Sequence, residues 1–219
     1  MRKLIDDNII NESYNGNNKI LEYINFQLDR ITPKANINFV EIHLAEHCNL
    51  NCQCCSHFSQ LAEPEFANIE TFKRDIKRLS QLSNGEINKI SLMGGEPLLN
   101  PNCERFFELT RKYFDKTEIK LVTNGILLLK QKESFWKSMK DNNIVLAPTK
   151  YPIKIDWNRI KAICENIGIK FKFHNDENVD KTSHNFPINL EGEENPEWNF
   201  RNCYQANTCL RLDNGKLYT

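Results

Sequence analysis

The sequence has 219 residues, 40% hydrophobic and 26% charged, and its 29 basic and 29 acidic side chains cancel to a net charge of zero. That composition excludes a disordered chain and gives enough length to bury a core without disulfide staples, while the charge balance calls for no nucleic acid or anionic membrane surface. No apolar run approaches the roughly 18–20 residues of a membrane span, and Met1-Arg2-Lys3-Leu4-Ile5-Asp6-Asp7 lacks the apolar centre of a signal peptide, so a cytoplasmic location is expected.

Residues 1–36 are polar and Asn-rich and are read as an N-terminal extension. Within it, Ile20, Leu21, Ile24, Leu28 and Ile31 have helical spacing over Asn18 to Ile31. From residue 37 the pattern alternates. Ile37 to Leu44 is a strand. Asn68 caps a helix with an apolar stripe of Ile69, Phe72, Ile76, Leu79 and Leu82, closed at Gly85. Ile87 to Met93 is a second strand, and Asn100 and Pro101 suit the cap and first turn of a helix running to Phe114. Glu118 to Thr123 is a third strand, followed by a helix over Gln131 to Lys140 and a short strand over Ile144 to Leu146. Asp156 caps a helix ending at Gly168, and Ile169 to Phe173 is a fifth strand.

Strands alternating with helices through short connections predict an α/β fold with a parallel sheet. Five strands fit an open or partial barrel better than a closed eight-stranded one. The core domain is read as 37–175. Residues 176–219 are read as an irregular tail with Pro187 and Pro196, ending in a segment with Cys203, Cys209 and a turn at Asp213-Asn214-Gly215.

Eight cysteines in such a chain read as metal ligands or buried thiols rather than disulfides. Directly after the first strand, Cys48, Cys52 and Cys55 have C-x3-C-x2-C spacing. Three close cysteines suggest a cubane iron–sulfur cluster with one iron left open for a ligand, whereas ferredoxin loops supply four. Two alternatives stand on the cysteines alone: zinc held by Cys48, Cys52, Cys55 and His57, or a ligand set in which Cys54 competes. Cys103 and Cys164 fall within helices and read as ordinary thiols.

The second strand leaves through Met93-Gly94-Gly95-Glu96-Pro97, where two glycines allow close backbone approach and the proline stiffens the exit. With the three cysteines after strand one, and Thr123-Asn124-Gly125 after strand three, this sequence resembles the radical S-adenosylmethionine (radical SAM) superfamily over roughly residues 37–175. Both main motifs lie at the carboxyl ends of adjacent parallel strands, where α/β barrels build their sites. Asn124, Thr149, Lys150, His174 and Asn175 also lie just beyond strands.

The resemblance implies a partial (β/α)6-type barrel with a C-terminal extension. It implies a [4Fe–4S] cluster on Cys48, Cys52 and Cys55, and S-adenosylmethionine held by Gly94, Gly95, Glu96, Pro97 and Asn124. The implied activity is reductive cleavage of S-adenosylmethionine to a 5′-deoxyadenosyl radical, which takes hydrogen from a substrate: a peptide or protein, a sugar or a small metabolite. An external electron donor such as flavodoxin or ferredoxin is implied as well. The alternative is a non-catalytic iron–sulfur or zinc module of the same fold. Two departures stand out: Cys54 replaces the bulky residue the family carries before the third cysteine, and no Gly-x-Ile-x-Gly segment follows strand five. Cys203-x5-Cys209 resembles the start of a SPASM or twitch auxiliary-cluster region, implying a second cluster if further residues complete it.

Overall fold

The structure, a computed structural model, describes residues 37–53, 55–174 and 189–219 together with Ile24, Gln27 and Leu28. Residues 1–36 and 37–219 form two compact units. The helix read over Asn18 to Ile31 falls almost wholly outside the described residues; Ile24, Gln27 and Leu28 are helical and half-buried. Cys54, Asn175 and Pro187 also lie outside them.

The second unit runs β1 (Ile37–Ala45), α1 (Ile69–Ser83), β2 (Ile87–Gly94), α2 (Cys103–Tyr113), β3 (Glu118–Thr123), α3 (Glu133–Asp141), β4 (Ile144–Pro148), α4 (Trp157–Ile167), α5 (Pro196–Asn202), α6 (Tyr204–Thr208), β5 (Leu210–Asp213) and β6 (Lys216–Tyr218). The six strands form one sheet in the order β4-β3-β2-β1-β5-β6. All neighbours are parallel except β5 and β6, which are antiparallel. This is the expected partial parallel barrel.

Alternation decides which side chains meet the helices. Val40, Ile42 and Leu44 of β1, Ile90 and Leu92 of β2, Ile119 and Leu121 of β3, and Ile144 and Leu146 of β4 share one core with Phe72, Ile76, Phe106, Phe107, Phe135 and Ile160 from the helices. Phe106, Phe107, Phe114 and Phe135 are fully buried, each worth roughly 1.5–3 kcal/mol of apolar burial. Phe72 meets Phe106 edge-on at 4.8 Å. The opposite sheet face holds a smaller cluster of Met93, Val122 and Ala147, and the odd-numbered residues of β1, Glu41 and His43, fall on that side.

Caps follow the sequence closely. The Asn68 side chain accepts the Glu70 and Thr71 amides at 3.0 Å, and Asp156 accepts the Arg159 amide at 3.0 Å. Three expectations are corrected. Leu82 is 67% exposed, because the buried stripe of α1 ends at Leu79. Asn100 does not cap α2, whose cap position is Asn102; instead it closes a 3₁₀ turn at Pro97–Leu99 and its Nδ2 donates to the Leu44 carbonyl at 2.8 Å. The expected strand over Ile169 to Phe173 is reduced to an isolated bridge between Leu146 and Phe171, held to β4 by the Leu146, Lys172 and His174 amides. The strand added beyond the first four is β5, which joins the other edge of the barrel beside β1 and turns through Asn214-Gly215 into β6.

Candidate functional site

The carboxyl ends of β1, β2 and β3 meet. Beyond β1 the chain makes the cysteine loop and returns beside the strand through an Ala45–Phe66 bridge and a 3.0 Å bond from the Glu46 amide to the Glu65 carbonyl. Beyond β2, the Gly95 amide donates to the Ala45 carbonyl at 2.8 Å and the Glu96 amide to the His47 carbonyl at 3.0 Å. The two glycines are required by this closeness. Gly94 has φ +130, and a β-carbon there would lie 2.2 Å from the Ala45 oxygen; one on Gly95 would lie 2.1 Å from the His47 oxygen. The Gly-Gly-Glu segment thus lies against the chain that leads into Cys48.

Glu96 is wholly buried. Its Oε1 accepts the Leu98 amide at 3.0 Å and the Thr123 hydroxyl at 2.6 Å, and its Oε2 accepts the Asn124 amide at 2.8 Å. Burial pushes its carboxyl above the ordinary range, against the pull of these three donors. Asn124 is fixed by this contact, and its Nδ2 reaches back to the Asn49 side-chain oxygen at 2.6 Å and to Cys48 Sγ at 3.7 Å. Glu96 is therefore a clasp between β2 and β3, and Asn124 carries that clasp into the cysteine loop.

Cys48, Cys52 and Cys55 are half-buried free thiols. Burial raises Cys48 and Cys52, and each is raised further by a neighbouring cysteine: Cys48 by Cys52, and Cys52 by Cys55. Raised thiols become thiolates when a metal binds the sulfur and displaces the proton to solvent. Cys48 Sγ already accepts the Leu50 amide at 3.4 Å, the kind of donor that tunes a cluster-bound sulfur. Tyr151, just past β4, stands beside Cys52, where its hydroxyl pulls the thiol down against burial. Burial, then Cys52, Cys48, Cys55 and Glu96, push its hydroxyl up to about 12. Three accessible thiols with amide and side-chain donors around them fit an iron–sulfur cluster.

The other candidates separate. His57 turns to Glu41, its Nε2 3.7 Å from Glu41 Oε2, and its ring meets His43 at 5.0 Å; a zinc set joining it to the three cysteines has to break these contacts. Thr149 donates its amide to the Thr123 carbonyl at 2.8 Å. The Lys150 ammonium lies 5.8 Å from the Phe173 ring centre, and burial lowers His174. Cys203 is exposed, whereas Cys209 at the root of β5 is half-buried and is pushed up to about 12 by burial and the nearby Glu41 carboxylate. Sequence reading missed Tyr151, Asn49, Glu41, His43 and Arg211; the first two sit beside Lys150 and Cys48, which it had marked. Cys103 and Cys164 are buried in α2 and α4.

A family model described as "Radical SAM superfamily" matches residues 42–155. Among curated proteins, the chain is 34% identical over 95 residues to a GTP 3′,8-cyclase of Desulforamulus reducens, covering 42% of this chain and 28% of that one. It is 31% identical over 111 residues to a GTP 3′,8-cyclase of Clostridium botulinum, covering 50% and 35%. The match thus spans about a third of those relatives' own length. A solved structure of BtrN in complex with AdoMet and 2-DOIA is similar at a TM-score of 0.49 and 20% identity, covering 65% of this chain and 57% of that chain. Among the described residues, no helix is long and apolar enough to cross a membrane.

Proposed function

This chain belongs to the radical SAM superfamily, and on that footing we propose that it is an enzyme that cleaves S-adenosylmethionine at one [4Fe–4S] cluster held by Cys48, Cys52 and Cys55. The observation that carries the assignment is the chain of contacts from Glu96 through Asn124 to Asn49 and Cys48, which ties three strand ends to one cysteine loop. When bound, the cluster supplies the electron that breaks S-adenosylmethionine to a 5′-deoxyadenosyl radical, which takes hydrogen from substrate.

The chain's own residues do the holding. Cys48, Cys52 and Cys55 would hold the cluster through their thiolates, three protein ligands that would leave an iron open to the cofactor. Gly94 and Gly95 bring backbone close to the loop, and Pro97 stiffens its exit. Glu96 has both oxygens engaged by protein donors, so it acts by holding Asn124 in place, while Gly94 and Gly95 offer backbone groups to the methionine end of the cofactor. Tyr151 stands beside Cys52, where its hydroxyl favours the thiolate.

The curated relatives are named for a GTP substrate, but the match to them is partial, and the substrate proposed here stays at the level of a peptide or protein, a sugar or a small metabolite. Flavodoxin or ferredoxin in the cytoplasm is the proposed electron source. A second cluster would need ligands beyond Cys203 and Cys209.

Anaerobic reconstitution with iron and sulfide tests the ligand set. About four irons and four sulfides per chain, lost on replacing Cys48, Cys52 or Cys55 by Ala and kept in Cys54→Ala, is the expected result. A cluster that survives the triple replacement would refute the assignment.

A further inference from the structure

A second group of metal-binding side chains lies apart from the three cysteines. Glu41 and His43 stand two residues apart on β1, on the face away from the helical core, and His57 comes to them from the cysteine loop. One ligand atom from each lies within 4.8 Å of the others. His43 is 6% exposed. Its Nδ1 faces Glu46 Oε2 at 3.1 Å, and Arg211 from β5 holds the other oxygen of Glu46 at 2.8 Å. A carboxylate on Nδ1 keeps the imidazole proton there and leaves the Nε2 lone pair as the one His43 has to offer. That Nε2 is buried and has no hydrogen-bond partner, a state that costs free energy until something fills the place.

We propose that Glu41, His43 and His57 bind a divalent first-row transition cation of the zinc or ferrous class. Two imidazoles and one carboxylate are the donor set of open metal sites, with further positions left for water or a substrate atom. Ligands about 2.0–2.2 Å from a tetrahedral ion stand about 3.3–3.6 Å apart, so the 3.7 Å between His57 and Glu41 needs only a small side-chain adjustment, and the group as a whole, with ligand atoms within 4.8 Å of one another, closes by at most about 1.5 Å on binding. Burial disfavours the Glu41 charge, yet His57, Cys209 and His43 together outweigh it and hold the carboxyl below its usual range. Glu46, fixed by Arg211, plays the outer part of a carboxylate–histidine–metal arrangement. The site shares no ligand with the proposed cluster, and its test does not depend on S-adenosylmethionine cleavage.

The test uses the full chain carrying Cys48→Ala, Cys52→Ala and Cys55→Ala, so that the cysteine loop cannot take the probe. Equilibrium dialysis against zinc is expected to leave one zinc per chain. Adding His57→Gln, at a side chain 30% exposed, is expected to weaken zinc by at least about 100-fold. Adding Glu46→Gln is expected to weaken it by about 10–100-fold. Cobalt in the same site is expected to give visible d–d bands with no thiolate charge-transfer band. No bound zinc, zinc unaffected by His57→Gln in a protein with unchanged circular dichroism, or a cobalt–thiolate band would overturn the proposal.

Discussion

Gly95 has no room for a β-carbon: one placed there would lie 2.1 Å from the His47 carbonyl oxygen and 2.8 Å from that of Glu46. Both obstacles are backbone, so neither can swing away. Gly95→Ala is expected to lower stability by about 3 kcal/mol or more, read as a lower denaturant midpoint, and to loosen the loop that carries Cys48. An unchanged midpoint would show that the β1 and β2 ends do not need this contact. At this scale the sequence revealed the residues whose spacing is local. Cys48, Cys52, Cys55 and the Gly-Gly-Glu-Pro run stand out because neighbours in sequence share the task. Tyr151 and Asn49 did not, since their partners lie 99 and 75 positions away in the chain and each is an ordinary loop residue by itself. The role of Glu96 was also only half legible. Its position in the motif points to the cofactor, while its burial and its three donors make it a clasp on β3.

Among elements, β5 contributes more than its four residues suggest. Leu212 is 7% exposed and packs in the main core, and Arg211 reaches Glu46 at the exit of β1. Leu212→Ala is expected to cost about 2–4 kcal/mol, measured by urea unfolding. A cost below about 0.5 kcal/mol, the range of surface substitutions, would mean that the hairpin only rests on the sheet. The Glu46 contact adds a pH signature. The hydrogen bond to His43 outweighs burial, and with Arg211 it holds the Glu46 carboxyl below its usual 4.5. A depressed folded value gives stability that is present above the unfolded value and lost as pH falls through the folded one. The gap between wild type and Glu46→Gln is therefore expected near neutrality, at no more than about 1 kcal/mol for a side chain a third exposed, and to close below pH 4.5. A gap that widens in acid would contradict this. Strand β3 was legible to the residue because its run ends where the alternation ends. Strand β5 was not, because four residues after two short helices carry too little periodicity, and its pairing with β1 spans 170 positions. Asn100 misled because Asn-Pro before an amphipathic run looks like a cap, whereas its amide is spent on Leu44 in a neighbouring strand.

At the scale of the whole molecule, residues 37–219 gather α1 to α4 on one face of a mainly parallel sheet and the chemistry at the carboxyl ends of its strands. The family match over residues 42–155 contains the cysteine loop, the Gly-Gly-Glu-Pro turn and Asn124, and the C-terminal hairpin is joined to it through β1. The central claim is that this arrangement cleaves S-adenosylmethionine by one-electron reduction. The direct measurement is anaerobic: reconstituted protein, a strong one-electron reductant and S-adenosylmethionine, with 5′-deoxyadenosine quantified by chromatography. The account predicts 5′-deoxyadenosine formation that disappears in each of the Cys48→Ala, Cys52→Ala and Cys55→Ala variants and persists in Cys54→Ala. A fully assembled and reduced cluster that yields no 5′-deoxyadenosine would contradict it and leave a binding module of the same fold.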